Sequence, residues 1–224
     1  MKRLHKGEVY EAIPEHNSMV FSFRHDLTDK GDIFLDFKIY TFDNGKVSPA
    51  TKNVYLLSKF GANYKKIIGS VKNYITVKSI LLPEGKVFML DTDGRAFLYD
   101  GKGELMWNGM LKYRSKVPHS VAVAKDGLWG SFPEFDAIVR FNPSTMRSEL
   151  RLGKKGDVFN CPKGLFAEDK YLYVSSFNSQ KLIRVDLDSF ETEDIYGFEE
   201  PFYSYIKTGK REFVNLESGL YEIV

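Results

Sequence analysis

Short apolar runs separated by turn residues recur along the chain at a nearly fixed interval. Each copy reads as a small residue, an apolar strand, a tight turn, a second apolar strand, an acidic or amide residue and a third strand. Lys78-Ser79-Ile80-Leu81-Leu82, His119-Ser120-Val121-Ala122-Val123 and Lys163-Gly164-Leu165-Phe166-Ala167 open three consecutive copies. The third-strand column is the most regular, with Val54-Tyr55-Leu56-Leu57, Ala96-Phe97-Leu98-Tyr99, Ile138-Val139-Arg140-Phe141, Leu182-Ile183-Arg184-Val185 and Leu220-Tyr221-Glu222-Ile223. These begin 42, 42, 44 and 38 residues apart, the length of one four-stranded propeller blade. Ser58, Asp100, Asn142 and Asp186 follow as turn residues, and a further strand then leads to Gly69, Gly109, Gly153 or Gly197. First strands are marked by Ser18, Ser79, Ser120, Gly164 and Ser204, and second strands begin at Val87, Leu128, Leu172 and Phe213. Short hairpin turns such as Pro83-Glu84-Gly85 and Lys125-Asp126-Gly127 join them.

The pattern predicts an all-β fold, a five-bladed β-propeller with an N-terminal strand closing the last blade. It forms a single domain over 1–224, with blades near 14–70, 71–110, 111–154, 155–198 and 199–224 plus 7–13. Glu8-Val9-Tyr10-Glu11-Ala12-Ile13 is a strand without a blade of its own, and the last unit lacks a fourth strand. Pairing the two removes an exposed edge, the liability that closed all-β folds avoid. A β-sandwich offers no reason for so regular a period. The first unit is longer than the rest, with 36 residues from Ser18 to Val54 against 17 or 18 in its counterparts. The surplus falls around 24–31 and 42–50 and in a lengthened strand from Asp32 to Thr41. A long hairpin on the rim accommodates it, and an insertion in one copy of a repeat is a place for a partner contact.

Composition adds little to this and removes several classes. The chain has 224 residues, 43% of them hydrophobic, with 18 Phe and 13 Tyr that suit pleated surfaces. A net charge of +2 gives no footprint for nucleic acid or an anionic membrane. The single cysteine, Cys161, excludes an intrachain disulfide and points to a reducing compartment. Met1-Lys2-Arg3-Leu4-His5-Lys6 has charge but no apolar run behind it, unlike a signal peptide. The expectation is a cytoplasmic, monomeric protein with no membrane and no nucleic-acid partner.

Blade geometry places the candidate site. First strands converge on the axis, so each must open with a small residue that permits close backbone approach. The residues just before them, Asn17, Lys78, His119, Lys163 and Tyr203, then ring the channel mouth. Connections between second and third strands open on the same face and add Asp91, Asp93, Glu134, Phe135, Asp136, Asn178 and Glu217. Such a concave mouth is the default ligand site of a propeller. His119 titrates near neutrality and is a candidate acid or base, while Lys78 and Lys163 are candidate anion clamps. A hairpin turn explains Asp91-Thr92-Asp93-Gly94 better than a calcium loop, whose later ligands are missing. His5, His16 and His25 have no metal-like spacing with one another or with Cys161, and no metal site is predicted. Neither a phosphate loop nor a nucleophile elbow occurs.

Two stretches carry a family resemblance. Pro118 to Trp129, followed by Ala137-Ile138-Val139-Arg140-Phe141-Asn142-Pro143, resembles a blade of the streptogramin lyase, NHL-repeat and SMP-30/gluconolactonase group of propellers. Cys161 to Ala167, followed by Tyr171-Leu172-Tyr173-Val174-Ser175 and Leu182-Ile183-Arg184-Val185-Asp186, is similar to the same blade. That group includes lyases, lactonases and pure interaction modules, so the resemblance implies the fold and leaves two functions. The first is a non-catalytic module binding a protein, peptide or small-molecule ligand at the mouth, with no cofactor. The second is a lyase or lactonase-type hydrolase using His119 as acid or base with Glu134 nearby, with or without a divalent metal. The first is favoured, because one histidine alone reaches the predicted mouth.

Overall fold

The computed structural model describes residues 1–7, 9–15, 17–27, 34–69, 77–125 and 127–224, with the backbone alone at 24–27 and 34–37. In chain order the elements are β1 (Lys2–Lys6), β2 (Val9–Pro14), β3 (Ser18–Leu27), β4 (Phe34–Asp43), β5 (Lys46–Pro49), α1 (Lys52–Phe60) and α2 (Tyr64–Gly69). Next come β6 (Lys78–Leu81), β7 (Val87–Leu90), β8 (Arg95–Tyr99), β9 (Leu105–Met110), β10 (Ser120–Ala124), β11 (Gly127–Phe132), β12 (Ala137–Phe141) and β13 (Ser148–Leu152). The remainder is β14 (Pro162–Glu168), β15 (Tyr171–Ser176), β16 (Lys181–Asp186), β17 (Thr192–Gly197), β18 (Phe202–Thr208), β19 (Arg211–Leu216) and β20 (Gly219–Ile223).

The strands form five four-stranded antiparallel sheets, and the fold is a five-bladed β-propeller closed by an N-terminal strand. Four blades use consecutive strands, β2 to β5, β6 to β9, β10 to β13 and β14 to β17, while the fifth has the order β1-β20-β19-β18. The closing strand is therefore β1, pairing Lys2 with Glu222 and Lys6 with Gly219, rather than the stretch 7–13. Val9–Pro14 instead opens the first blade, pairing with β3.

By its internal contacts the chain divides into two compact units, Met1–Lys59 with Ile206–Val224, and Phe60–Tyr205. In the first, β3 and β4 are ten-residue strands, which absorb part of the surplus length; the expected turn at 28–31 lies outside the described residues. The run Val54-Tyr55-Leu56-Leu57, expected as a third strand, is helical within α1. Its physical reason is a helical, not a pleated, burial period: Tyr55, Leu56, Lys59 and Phe60 are buried while Val54 and Leu57 are exposed. Thr51 caps the helix, its Oγ1 accepting from the Val54 amide at 3.4 Å. Docking is polar as well as apolar. The fully buried Lys59 ammonium lies 2.7 Å from the Glu11 carboxylate on β2 and 3.0 Å from the Tyr55 hydroxyl, which also donates to Glu11. Ser58 donates to Glu15 at 2.5 Å. The core of this unit joins Met19, Phe21 and Phe42 to Phe213 and Leu220.

The second unit holds three complete blades and the site. Two cores fill the spaces between them, one around Phe88, Phe132 and Phe141, the other around Trp129, Leu172 and Val174. First strands neighbour one another, β10 lying against both β6 and β14. This close approach accounts for the small residue that opens each of them. A Cβ on Gly164 would sit 2.5 Å from the Tyr203 carbonyl and 2.9 Å from Ser204 Cα. Ser120 uses the proximity differently, its Oγ accepting from the Leu165 amide at 3.2 Å. Among the described residues, no helix is long and apolar enough to cross a membrane.

Candidate functional site

Lys78, His119 and Lys163 stand at or beside the starts of β6, β10 and β14. Because those strands are neighbours, residues 40 or more positions apart in sequence are brought to one cleft of about 400 Å³. Asp91 and Glu134 line the same cleft, from the β7–β8 turn and from the helical turn Pro133–Phe135 between β11 and β12. Leu90, Val117 and Pro133 supply apolar wall.

Lys78 and His119 are held by backbone carbonyls. Lys78 Nζ donates to the Pro118 carbonyl at 2.7 Å, and burial lowers its pKa to about 8. A carbonyl only accepts, so the 2.9 Å contact of His119 Nδ1 with the Lys163 carbonyl puts the proton on Nδ1. In neutral His119, Nε2 is then left as an acceptor. Desolvation lowers the His119 pKa below its usual 6.5, opposed by the Lys163 carbonyl and reinforced by the two lysine charges, with Glu134 raising it slightly. The imidazole is accordingly neutral at pH 7. Ser131 Oγ donates to the same Lys163 carbonyl at 3.2 Å and accepts from the Ser120 amide at 3.0 Å, fixing both strands.

Lys163 is held by rings. Its Nζ lies 3.6 Å from the centroid of Phe177 and 4.9 Å from that of Tyr203, and these rings are 5.1 Å apart. Cation–π contact steadies an ammonium without cancelling its charge. The cleft thus contains two lysines, a neutral histidine and two carboxylates, of which Glu134 is exposed at the rim.

The other expected residues lie elsewhere. Asp93 is exposed and outside the cleft lining, and the 91–94 stretch is a hairpin turn in which Asp91 Oδ1 accepts from the amides of Asp93 and Arg95 at 2.9 and 2.8 Å. Asp136 Oδ1 accepts from the Cys161 amide at 2.7 Å and lines a separate cavity of about 690 Å³ with Asn160, Ser179 and Asp194. Phe135 packs on Tyr113 and Phe132, and Asn178 donates to Asn160 at 3.2 Å. Asn17 sits in the β2–β3 hairpin, the counterpart of Pro83–Gly85 in the next blade, at the opposite end of its blade from a first-strand start. Glu217 lies in the β19–β20 turn of the first unit. The pattern of small residues gave no sign of Phe177 as the seat of Lys163; its one signal is an aromatic directly after Ser175-Ser176 at the end of β15.

His119 feels two ammoniums against one carboxylate, and the described residues contain no group of three His, Cys, Asp or Glu able to hold an ion. Burial pushes the Cys161 thiol pKa up, with Lys163 opposing the shift.

The sequence matches no protein-family model and no curated protein. Among solved structures the chain is similar to virginiamycin B lyase from Staphylococcus aureus, with 12% identity and a TM-score of 0.53, covering 100% of this chain and 86% of that one. It is also similar to a protein of unknown function from Bacteroides caccae, with 10% identity and a TM-score of 0.55, covering 96% and 77%. The likeness is one of fold, and it carries the blade-level resemblance to the streptogramin lyase group.

Proposed function

We propose that this propeller is a non-catalytic binding module whose ligand site is the cleft of Lys78, His119 and Lys163. One observation carries the reading: a half-buried ammonium, Lys78, lines a 400 Å³ cleft with a neutral backbone carbonyl as its hydrogen-bond partner. Burying a cation against a dipole instead of a carboxylate costs stability, and a ligand that completes its shell recovers that cost. The volume suits a small molecule rather than a folded partner. A monomeric cytoplasmic protein is the setting we infer, in keeping with its single cysteine. Screening a metabolite library by thermal shift tests the site: ligands that raise the wild-type Tm are expected to lose their effect on Lys78→Met, and full retention of every shift would refute it.

One observation favours a second reading. His119, with Nδ1 fixed on a carbonyl, Nε2 accepting and a lowered pKa, has the form of a general base, and Glu134 shares its cleft. A lactonase or lyase working through it would lose all turnover of a lactone and ester panel on His119→Ala with its Tm nearly unchanged. The binding reading predicts no turnover by either form.

A further inference from the structure

The cleft of the proposed binding function carries both signs of charge without pairing them to each other. Lys78 is bonded to a carbonyl and Lys163 to two rings, and neither forms an ion pair with Glu134 or Asp91 although all four line one cavity. Asp91 is partly committed, one carboxylate oxygen accepting two turn amides. Glu134 has no hydrogen bond to another described residue. Glu134 stands exposed at the rim, while Lys78, Lys163 and Asp91 are half-buried. Neutral His119, with its proton on Nδ1, adds an acceptor, Nε2, to the residues that line the cleft.

From this we infer that the ligand is a small zwitterion of the α-amino acid class, its carboxylate directed to Lys78 and Lys163 and its ammonium to Glu134 and His119 Nε2. The inference rests on the cleft being the binding site and names what fills it. A polyanion is disfavoured by Glu134 and Asp91 in the lining, and a simple amine by the two ammoniums beside them. An uncharged ligand can offer Lys78 an acceptor but no countercharge. A zwitterion alone answers both ends. The apolar walls, Leu90, Val117 and Pro133, face whatever side chain it carries.

Affinity is expected to depend on pH from both sides. Above about 8, Lys78 loses its proton and the carboxylate its partner. Below the depressed His119 pKa, Nε2 is protonated and no longer accepts from an ammonium. The groups facing these two are Asp91 from the β7–β8 turn, Glu134 from the turn after β11 and Lys163 from β14.

Calorimetric titration of the full chain at pH 7 with the common L-amino acids, their des-amino acids and their decarboxylated amines tests the inference. The best amino acid is expected to bind about tenfold or more tightly than either single-charge analogue, the loss of one hydrogen bond to a charged group. Glu134→Gln should bring the amino acid and its des-amino acid to within about threefold of each other, while Lys78→Met weakens both. Equal binding of amino acid and des-amino acid to the wild type, or a preference that survives Glu134→Gln, would overturn the assignment. If plain anions or uncharged compounds bind in a Lys78-dependent way and amino acids do not, the zwitterion is wrong and the binding site stands. If no compound of any class binds, both fall.

Discussion

Val54-Tyr55-Leu56-Leu57 and Ile138-Val139-Arg140-Phe141 look alike as four-residue apolar runs, yet the first lies in α1 and the second is β12. What separates them is their surroundings. Ile138 to Phe141 has a partner strand on each side, β11 and β13, and three of its four residues are fully buried. The other run sits behind a capping threonine and inside a nine-residue segment whose buried positions recur at helical spacing. The helix is then secured by charge, through Lys59 and Glu11, where the repeat blades are secured by backbone approach at Gly164. A short apolar run says that something is buried; its flanks decide in which conformation.

That contrast can be broken at either end. Glu11→Ala removes the carboxylate 2.7 Å from a fully buried ammonium and should cost about 3 kcal/mol. Adding Lys59→Met should restore most of the loss, and a single variant as stable as the wild type in denaturant would show that the ion pair does not hold α1. Gly164→Ala attacks the other device. Its methyl would lie 2.5 Å from a backbone carbonyl, so about 1–3 kcal/mol is expected from the equilibrium melt. Thr51→Ala, which deletes the cap of α1, should cost about 1 kcal/mol.

The remaining prediction is read as a pH dependence, and it best isolates the cleft. Lys78 has a folded pKa of about 8 against an ordinary 10.5, so between those values the unfolded chain binds more protons than the folded one. Its contribution to stability therefore rises with pH across that window. Lys78→Met should flatten that part of the stability curve, and an identical slope in both proteins would show that the ammonium is not desolvated.

Much of this fold is legible in the residues. The small-residue column is readable because first strands pack together, and Gly164 shows what a larger residue would strike. The closing strand is not. Lys2-Arg3-Leu4-His5-Lys6 has the charged composition of a protected edge strand, and nothing apolar announces it against Val9–Pro14. Misplacing that strand shifts the first blade by one position, which is why Asn17 falls in a hairpin rather than at a strand start. In the candidate site, Lys78, His119 and Lys163 follow from the column and Glu134 from its connection. Asp93, Asp136 and Asn178 occupy equivalent connections but face other surroundings, because turn geometry rather than spacing aims those side chains.

The central claim is that function resides in the cleft opened by β6, β10 and β14. A crystal structure of the protein with the tightest binder from the screen tests it most directly. Electron density in contact with Lys78 Nζ and between His119 and Glu134 is the predicted result. Ligand density in the cavity beside Asp136 and Asn160, with the Lys78 cleft free of it, would contradict the account.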